Sequence, residues 1–410
     1  MTAKSAIVIG GGIAGCSTAY ALAQRGIQVT LLERNSEIAS EASGNPVAML
    51  YPRLSGDDSG SEFALNTYLY SLQLYKSLKL APEEFDCCGM LQLGFNAKEL
   101  ARIQKVAAQN HASDIVQLVN KVEASKLAGI SIEYDALYLP DAAWVKPQQL
   151  CRRLSQHPDI NTLTLQNVIK ILKINSLFEV HTNQGAVLTA EMVVIANAND
   201  ARELCTNLPI NIQAVRGQVS LVDASESSKT LQKIVCSDGY FSPAVLQQDS
   251  KQLHCLGATF SSIAATEISQ NELIIAEQDH LANLEKLNNI SNTLYNDLKN
   301  NIVGGRVSLR CTAIDYWPLA GLLLDVDKLR ASPPRPSADV NALPWVDGLY
   351  INIAHGSKGF TTAPLCAEII ACMASNTALP VSDELAGLLN PNRFLLKEMG
   401  LKRLAKMVLG

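Results

Sequence analysis

The sequence predicts an α/β protein in which a parallel-sheet domain is interrupted by a domain built on an antiparallel sheet. Three observations lead to this prediction: a strand, glycine turn, helix and strand at the N-terminus, a buried-strand run at 192–196, and a strand followed by a helix at 349–374. Between them, the alternating apolar residues of 210–259 are typical of antiparallel strands. A chain of 410 residues is long enough for two such domains.

The N-terminal unit contains a G-x-G-x-x-G pattern placed between two apolar strands. Gly10 lets the chain turn sharply out of the first strand, Gly12 has no Cβ and admits a pyrophosphate, and Gly15 allows close helix packing. Gly26 ends the helix, and Glu33 ends the second strand at about the spacing of an acid that accepts ribose hydroxyls. The helix N-terminus favours phosphate through free N–H groups and its dipole.

This unit predicts a dinucleotide-binding site. A glycine-rich turn that binds nothing is the alternative, and the complete strand–turn–helix–strand–acid order argues against it. The pattern leaves open which dinucleotide binds and for which reaction.

The predicted domains are discontinuous in sequence. A nucleotide-binding domain is expected over 1–81, 142–204 and 302–410, and a second domain over 82–141 and 205–301. Within them, 38–55 and 325–347 are predicted as loops because they are rich in small, polar and proline residues. Helices are predicted over 269–287 and 360–374.

Composition excludes several classes of protein. The net charge of −5 argues against broad, non-specific nucleic-acid binding, although a local basic patch remains compatible with it. Ten scattered cysteines without a C-x-x-C pair, and six histidines without ligand spacing, predict no metal site and no disulfide framework. The absence of G-x-S-x-G and P-loop motifs argues against hydrolases and NTPases. No apolar run is long enough for a membrane span and no signal peptide is present, so we expect a cytoplasmic protein.

Longer motifs resemble those of a known family. They are GGGIAG…LLER, the strand end VIAN at 194–197, SLRCTAIDYWPLAG, and GLYINIAHGSKGFTTAPLCAEIIA. These are similar to the D-amino-acid-oxidase-like FAD oxidoreductases, which include glycine and sarcosine oxidases. The resemblance covers nearly the whole chain. It implies a Rossmann-type FAD-binding domain, an inserted substrate domain with an antiparallel sheet, and FAD as the cofactor.

Further motifs narrow the resemblance. The residues at 42–46, 50–52, 238–243 and 390–394 resemble the flavin-dependent part of enzymes that modify the wobble uridine of tRNA. That implies oxidative removal of the carboxymethyl group from 5-carboxymethylaminomethyl-(2-thio)uridine, giving 5-aminomethyl-uridine and glyoxylate. A FAD-dependent oxidase of a free small amino acid and a non-catalytic flavin-binding partner subunit are the alternatives. Because only Met1 to Lys4 precede the first strand, no methyltransferase domain is expected here, and a separate methyltransferase is a candidate partner.

The resemblance also implies site residues. Arg310 is expected to bind the substrate carboxylate, with Tyr240 and Lys358 as further catalytic candidates and Arg216 as an additional one. The residues expected to bind FAD are Gly10, Gly12, Ile13, Ala14, Gly15, Glu33, Arg34, Ala42, Ser43, Gly44, Asn45, Ala48, Met49, Leu50, Val168, Ala196, Asn197, Gly356, Ser357, Lys358, Gly359 and Phe360.

A basic stretch close to the C-terminus is the candidate tRNA contact. It contains the cations Arg393, Lys397, Lys402, Arg403 and Lys406, opposed only by Glu398. Such a stretch suits phosphates, and a solvated terminal helix is the alternative interpretation.

Overall fold

The structure, a computed structural model, describes residues 4–56, 58–109, 111–248, 251–263 and 273–408. Its strands, in chain order, are β1 (Ser5–Ile9), β2 (Gln28–Leu32), β3 (Ala48–Leu50), β4 (Phe85–Asp86), β5 (Met90–Leu93), β6 (Gln117–Val119), β7 (Ala136–Leu139), β8 (Ala143–Val145), β9 (Ile160–Leu163), β10 (Val168–Ile174), β11 (Leu177–Thr182), β12 (Val187–Ala190), β13 (Met192–Ile195), β14 (Ile212–Asp223), β15 (Ile234–Cys236), β16 (Tyr240–Phe241), β17 (Leu246–Gln248), β18 (Lys251–Gly257), β19 (Ser261–Ile263), β20 (Ile302–Ala313), β21 (Leu319–Leu324) and β22 (Trp345–Ile353).

The helices of the described chain range from one turn to nineteen residues. They are α1 (Ile13–Ala23), α2 (Ser59–Ser77), α3 (Ala97–Ala107), α4 (Lys121–Ala128), α5 (Pro147–Ser155), α6 (Ala201–Leu204), α7 (Glu277–Asn288), α8 (Asn292–Leu298), α9 (Val326–Ala331), α10 (Gly359–Ser375), α11 (Asp383–Leu388) and α12 (Arg393–Glu398). None of the helices in these ranges is long and apolar enough to cross a membrane.

The chain divides into two compact units. The first unit comprises 1–44, 148–214 and 310–410, and the second comprises 45–147 and 215–309. These boundaries differ from the predicted domains at four places: 45–81, 142–147 and 302–309 pack in the second unit, and 205–214 packs in the first. The reason is that β3 pairs antiparallel with β8, which in turn pairs with β4, and local periodicity does not reveal a partner so distant in sequence.

The first unit is built on a six-stranded sheet of order β21-β22-β13-β1-β2-β9. Strands β22, β13, β1, β2 and β9 run parallel, and β21 is antiparallel to β22. The central strands are apolar and buried on both faces, as parallel strands should be. A three-stranded antiparallel sheet, β10-β11-β12, shares their core through Phe178 and Val180. The predicted α/β class is confirmed.

The second unit is dominated by a large mixed sheet. The strand order is β19-β14-β18-β16-β15-β5-β7-β6, with β17 on β18 and β20 on β14. Most described pairs are antiparallel, whereas β15 and β5 run parallel. Two core clusters fill this unit, one around Leu91 and Phe241 and the other around Met90 and Trp144.

Two segments predicted as loops contain regular structure. Within 38–55, a 3-10 turn spans Ala42–Gly44 and is followed by β3. Within 325–347, helix α9 starts where the Asp325 side chain accepts the Lys328 N–H at 3.0 Å, and β22 starts at Trp345. The Asp325 cap marks the start of a helix, and the proline-rich composition of the segment does not reveal it. The helix predicted over 269–287 corresponds to α7, which begins only at Glu277, and the residues predicted at 269–272 lie outside the described ranges.

Arg393 is buried and ion-paired rather than presented to a nucleic acid. It is 2 % exposed and holds Asp315 through two bonds of 2.9 and 2.7 Å. Its remaining N–H groups donate to the carbonyls of Pro318, Asn390 and Trp317. The prediction that Arg393 contacts tRNA is therefore wrong, because a buried guanidinium whose five N–H groups all have protein acceptors has no donor left for a phosphate.

We expect Arg393→Ala to destabilise the protein by about 3 kcal/mol, because it leaves Asp315 and three carbonyls without their donor. Urea denaturation monitored by circular dichroism measures the change. Lys397→Ala, which removes an exposed cation from the same helix, is the matched control and should stay within about 0.5 kcal/mol of wild type. Equal stability of the two variants would contradict the structural role of Arg393.

Candidate functional site

The glycine turn of the first unit is shaped by two different constraints. Gly10 has a φ of +107°, and a Cβ there would lie 2.7 Å from the Ala196 carbonyl oxygen. A Cβ on Gly15 would lie 1.8 Å from the carbonyl oxygen of Gly10, so the fold itself requires glycine at both positions.

Gly12 is different, because the fold does not require glycine there. Its φ of −78° and ψ of −177° are extended angles open to any residue. A Cβ would meet only the Ser43 side chain, at 3.1 Å from Oγ. The space in front of Gly12 is thus a cradle that a side chain would fill, and this is the feature expected of a pyrophosphate site.

Glu33 supports the turn from the end of β2. Its carboxylate is 7 % exposed and accepts the Gly11 N–H at 2.8 Å through Oε2. Oε1 accepts the backbone and side-chain N–H groups of Asn35 at 2.8 and 2.9 Å. The acid predicted from spacing alone is therefore fixed beside the glycine turn.

Arg34 points to acids rather than to the turn. It bonds Glu41 at 2.7 Å through Nε and forms an ion pair with Asp200. Its side chain is 42 % exposed. Its expected contact with the cofactor stays a prediction.

The segment after the first βαβ unit contributes Ser43. Ser43 lies in the Ala42–Gly44 turn and is buried, and its Oγ accepts the Ile13 N–H at 2.9 Å. A side chain thirty residues away therefore caps the start of α1.

The rest of the predicted loop belongs to the second unit. Ala48, Met49 and Leu50 form β3, and Met49 pairs with Trp144. The Asn45 side chain accepts a bond of 3.1 Å from Arg306. The two halves of the 42–50 segment are thus held by different units.

The carboxyl end of β13 brings Ala196 and Asn197 beside the turn. Ala196 donates its N–H to the Ile9 carbonyl at 2.8 Å, and the Cα of Asn197 lies 3.0 Å from the position of a Cβ on Gly10. Asn197 Oδ1 is buried without a hydrogen-bond partner among the described residues. Val168 starts β10, and the neighbouring Gln166 N–H donates to the Glu33 carbonyl at 2.8 Å.

A second helix N-terminus lies next to the first. Residues Gly356–Lys358 form a 3-10 turn that leads into α10 at Gly359, and no side chain caps this start. A Cβ on Gly359 would lie 3.2 Å from Cγ2 of Ile13, so α10 and α1 begin close together. The two N-termini focus N–H donors and positive dipole on one region. Phe360 is buried, whereas Lys358 is exposed.

His355, just before this turn, is held as a neutral ring. Nε2 lies 3.0 Å from Asn352 Oδ1, which can only accept, so Nε2 carries the proton. The Thr362 hydroxyl lies 2.9 Å from Nδ1 and donates its proton to the Lys358 carbonyl at 3.0 Å. Burial lowers the pKa of His355 to about 3. The histidine supports the α10 start structurally and carries no charge near neutral pH.

This neutral His355 predicts acid sensitivity. The unfolded chain binds a proton near pH 6.5 and the folded chain only near pH 3, so stability is complete above 6.5 and is lost as the pH falls from 6.5 towards 3. Between pH 7 and 5, wild type should lose about 1 to 2 kcal/mol more than His355→Gln, which lacks the titrating ring. Urea denaturation at both pH values measures this, and parallel losses in the two proteins would contradict the assignment.

Arg310 lies in the last part of β20, in the first unit. It is 7 % exposed. Thr312, two residues on and therefore on the same strand face, bridges to His355 and lies 3.1 Å from the position of a Cβ on Gly356. Thr312 Oγ1 is buried and has no hydrogen-bond partner in the described chain. Arg310 thus shares a strand face with a residue that contacts the start of the α10 turn.

The other substrate candidates lie in the second unit. Tyr240 is half-buried on β16, opposite Cys236, and its hydroxyl lies 3.7 Å from Cys255 Sγ. Arg216 is buried and forms an ion pair with Asp279. That ion pair gives Arg216 a structural role between β14 and α7.

These residues fit FAD. The cradle at Gly12, the adjoining start of α10 and the buried, unsatisfied oxygens of Asn197 and Thr312 leave polar groups that the described protein does not itself satisfy. Unsatisfied buried polar atoms are costly unless a ligand or water completes them. Groups of three or more His, Cys, Asp or Glu side chains able to hold a metal are not found within the described residues.

The fold and site define a dinucleotide-binding protein. The chain belongs to the family described as FAD dependent oxidoreductase (DAO), which matches residues 5–373. FAD is therefore its cofactor, and the predicted family and cofactor are confirmed.

Curated relatives and solved structures agree with this family. The chain is 40% identical over 408 residues to the tRNA 5-methylaminomethyl-2-thiouridine biosynthesis bifunctional protein MnmC of Methylobacillus flagellatus, covering 99% of this chain and 61% of the relative. The MnmC of Ectopseudomonas mendocina is 36% identical, with 97% and 60% covered. The chain thus spans about three fifths of the length of these relatives.

Solved structures show the same fold at low identity. Glycine oxidase from Geobacillus kaustophilus has a TM-score of 0.72 and 19% identity, covering 92% of this chain and 96% of that chain. L-proline dehydrogenase from P. horikoshii has a TM-score of 0.73 and 20% identity, covering 97% and 98%.

The sequence analysis did not identify the buried polar residues that hold the two helix starts in place. Asn352 is fully buried on β22; it donates to Thr18 at 3.0 Å and accepts from His355, thereby joining α1 to the α10 turn. The available signal is an asparagine inside an otherwise apolar strand, since such a residue must find partners. The hydrogen bond from the Ile13 N–H to Ser43 could not be predicted from the residues near either position.

Proposed function

We propose that this chain oxidatively removes the carboxymethyl group from 5-carboxymethylaminomethyl-(2-thio)uridine at the wobble position of tRNA, giving 5-aminomethyl-uridine and glyoxylate. One observation carries the proposal: a DAO-family chain, 40% identical to a protein named for tRNA 5-methylaminomethyl-2-thiouridine biosynthesis, has a buried arginine, Arg310, on the strand that adjoins the α10 turn. A carboxymethylamino group contains both an amine, which a flavin-dependent oxidoreductase of this family can oxidise, and a carboxylate, which the arginine can bind.

In this proposal Arg310 orients the substrate. Its planar guanidinium binds the carboxylate through two parallel N–H bonds, which fixes the direction of the neighbouring methylene. Proximity of a buried cation also disfavours the ammonium form of the substrate amine, so no separate base is required. The N–H groups at the start of α10 favour negative charge that develops at that end of the site.

Bound FAD supplies the acceptor for the hydride that leaves the methylene carbon. The amine nitrogen loses its proton to solvent as the carbon–nitrogen bond becomes an imine. Water adds to the imine carbon and the bond to nitrogen breaks. The two-carbon fragment departs as glyoxylate, and the primary amine remains on the uridine.

Nucleoside analysis tests the proposal. Purified protein is incubated with tRNA that carries 5-carboxymethylaminomethyl-uridine, and the digested nucleosides are quantified. We expect loss of that nucleoside, an equal gain of 5-aminomethyl-uridine, and one glyoxylate per conversion. Unchanged tRNA together with rapid turnover of glycine or sarcosine would instead establish a free amino-acid oxidase. A colourless protein that takes up no added FAD would contradict both.

Partners and location follow from the same proposal. A tRNA substrate implies a cytoplasmic site of action. Because the relatives are named as bifunctional and extend beyond this chain, we propose that a methyltransferase acts on the product. In the basic C-terminal stretch, the cations still exposed to solvent are Lys397, Lys402, Arg403 and Lys406. Arg403 donates to the carbonyl of Pro336 at 3.0 Å, so three lysines remain the better phosphate candidates there.

A further inference from the structure

A network of buried charges fixes the chain immediately after β3 in the second unit. Arg102 on α3 donates to the Leu54 carbonyl at 2.7 Å and to the Gln92 side chain at 3.1 Å. Gln92 in turn donates to the Pro52 carbonyl at 3.1 Å. These bonds hold the carbonyls of Pro52 and Leu54, on either side of Arg53. They therefore fix the backbone from which the Arg53 side chain extends.

Glu99 joins two arginines in this network. One carboxylate oxygen accepts from Arg53 and the other from Arg102, each at 2.8 Å. Burial alone would raise the pKa of Glu99, but the bonds and charges of the two arginines lower it, so the carboxylate is ionised. Two guanidiniums and one carboxylate leave a net charge of +1.

The excess charge falls on Arg53. The side chains of Arg102 and Glu99 are 10% and 11% exposed, whereas that of Arg53 is 35% exposed. Arg102 and Glu99 therefore form the enclosed ion pair, and Arg53 carries the uncompensated charge at the edge of the solvent. Arg53 donates to Glu99 through Nη2. Because a guanidinium has five N–H donors in all, it can bind a second acceptor at the same time.

Two charged residues that the structure describes, Lys105 and Asp58, lie at the segment that follows Arg53, and their opposite charges leave the excess on Arg53 unchanged. The Lys105 ammonium lies over the same segment, 2.5 Å from the position of a Cβ on Gly56. Asp58, a described acid of this segment, accepts from the Ser61 N–H at 2.7 Å and from the Ser55 hydroxyl at 3.1 Å, and so caps α2. A preoriented, half-exposed guanidinium that carries excess positive charge is suited to bind an anion.

We propose that Arg53 binds a phosphate of the polynucleotide substrate, an inference that rests on the proposed tRNA function. A free amino acid brings one carboxylate, for which Arg310 suffices. A polynucleotide brings one phosphate per nucleotide, and phosphate contacts set its register on a protein. Arg53, directed by Glu99, supplies such a contact on the second unit, and the uridine can then be held by base and side-group contacts.

Binding of an unmodified anticodon stem-loop RNA, measured by fluorescence anisotropy across a salt series, tests this without requiring catalysis. Arg53→Gln should weaken binding by about fivefold and reduce the slope of log K against log salt by about one. The variant should fold, because Glu99 keeps Arg102. Arg53→Lys should restore most of the slope. Lys76→Gln is the matched control, since it removes the same charge from an exposed 2.7 Å pair with Asp141.

The outcomes separate the inference from the proposed function. Equal affinity and slope for Arg53→Gln and wild type would overturn the phosphate site while leaving the tRNA reaction intact. If Arg53→Gln raises KM as much for the free modified nucleoside as for tRNA, Arg53 binds the substrate carboxylate and the inference is also wrong. A wild-type protein that oxidises small amines but binds no RNA would overturn the proposed function first.

Discussion

Replacing Arg310 with alanine is expected to lower kcat/KM for the carboxymethylaminomethyl substrate by about a thousandfold while FAD stays bound. A bidentate, charge-assisted pair contributes both binding and orientation, and losing it removes about 4 kcal/mol of transition-state stabilisation. The residue is 7 % exposed on β20, so its interaction with a carboxylate is little weakened by solvent.

The measurement is steady-state turnover of FAD-loaded protein on modified tRNA and on the free nucleoside. Arg310→Lys keeps the charge but not the fork, and should recover about a tenth of the lost activity. Arg25→Gln is the matched control, because it removes an arginine of the same unit that pairs with Glu368 at 2.8 Å. Its activity should match wild type.

Two results would remove Arg310 from the substrate site. One is an Arg310→Ala variant that turns over at the wild-type rate. The other is a variant that loses FAD and activity together, because that pattern would assign Arg310 to the architecture of the flavin site. Added exogenous guanidinium gives an independent readout: rescue of turnover is expected only for a missing carboxylate partner.

The sequence allowed the local parts of the site to be predicted. The turn at Gly10, the acid at Glu33 and the helix start at Gly359 are each encoded by neighbouring residues, and the structure brings all three into the first unit. Backbone angles and helix ends follow from residue type within a few positions, which is why such motifs can be read directly.

Long-range partners could not be predicted in the same way. Asp315 pairs with the buried Arg393, seventy-eight positions away, and Glu99 pairs with Arg53, forty-six positions away. Both arginines look like solvent-exposed cations in the sequence, yet one is structural and the other carries the excess charge of a buried network. Which cation is neutralised depends on strand and helix placement, so the run of charges alone misassigned Arg393.

Gly12→Val is expected to yield a folded protein that binds FAD at least a thousandfold more weakly and is purified colourless. The extended backbone at Gly12 suits valine, and the neighbour of its Cβ is the Ser43 hydroxyl at 3.1 Å, so we expect the apoprotein to fold after a small shift of Ser43. The branched side chain instead occupies the cradle where a pyrophosphate would approach the N-terminus of α1. Absorbance at the flavin bands and FAD titration by fluorescence quenching measure the loss.

Two further glycines make this test specific. Gly15→Ala places a Cβ 1.8 Å from the Gly10 carbonyl oxygen and should disrupt the unit itself, with lost circular dichroism signal and insoluble protein. Gly26→Ala, at a φ of +72° with nothing within 4 Å, should destabilise the protein by about 1 kcal/mol and retain FAD.

If Gly12→Val retained its yellow colour, the cradle would not be where the pyrophosphate binds. If it unfolded like Gly15→Ala, the requirement for glycine would come from the fold. Only a folded, colourless Gly12→Val protein assigns that requirement to the ligand.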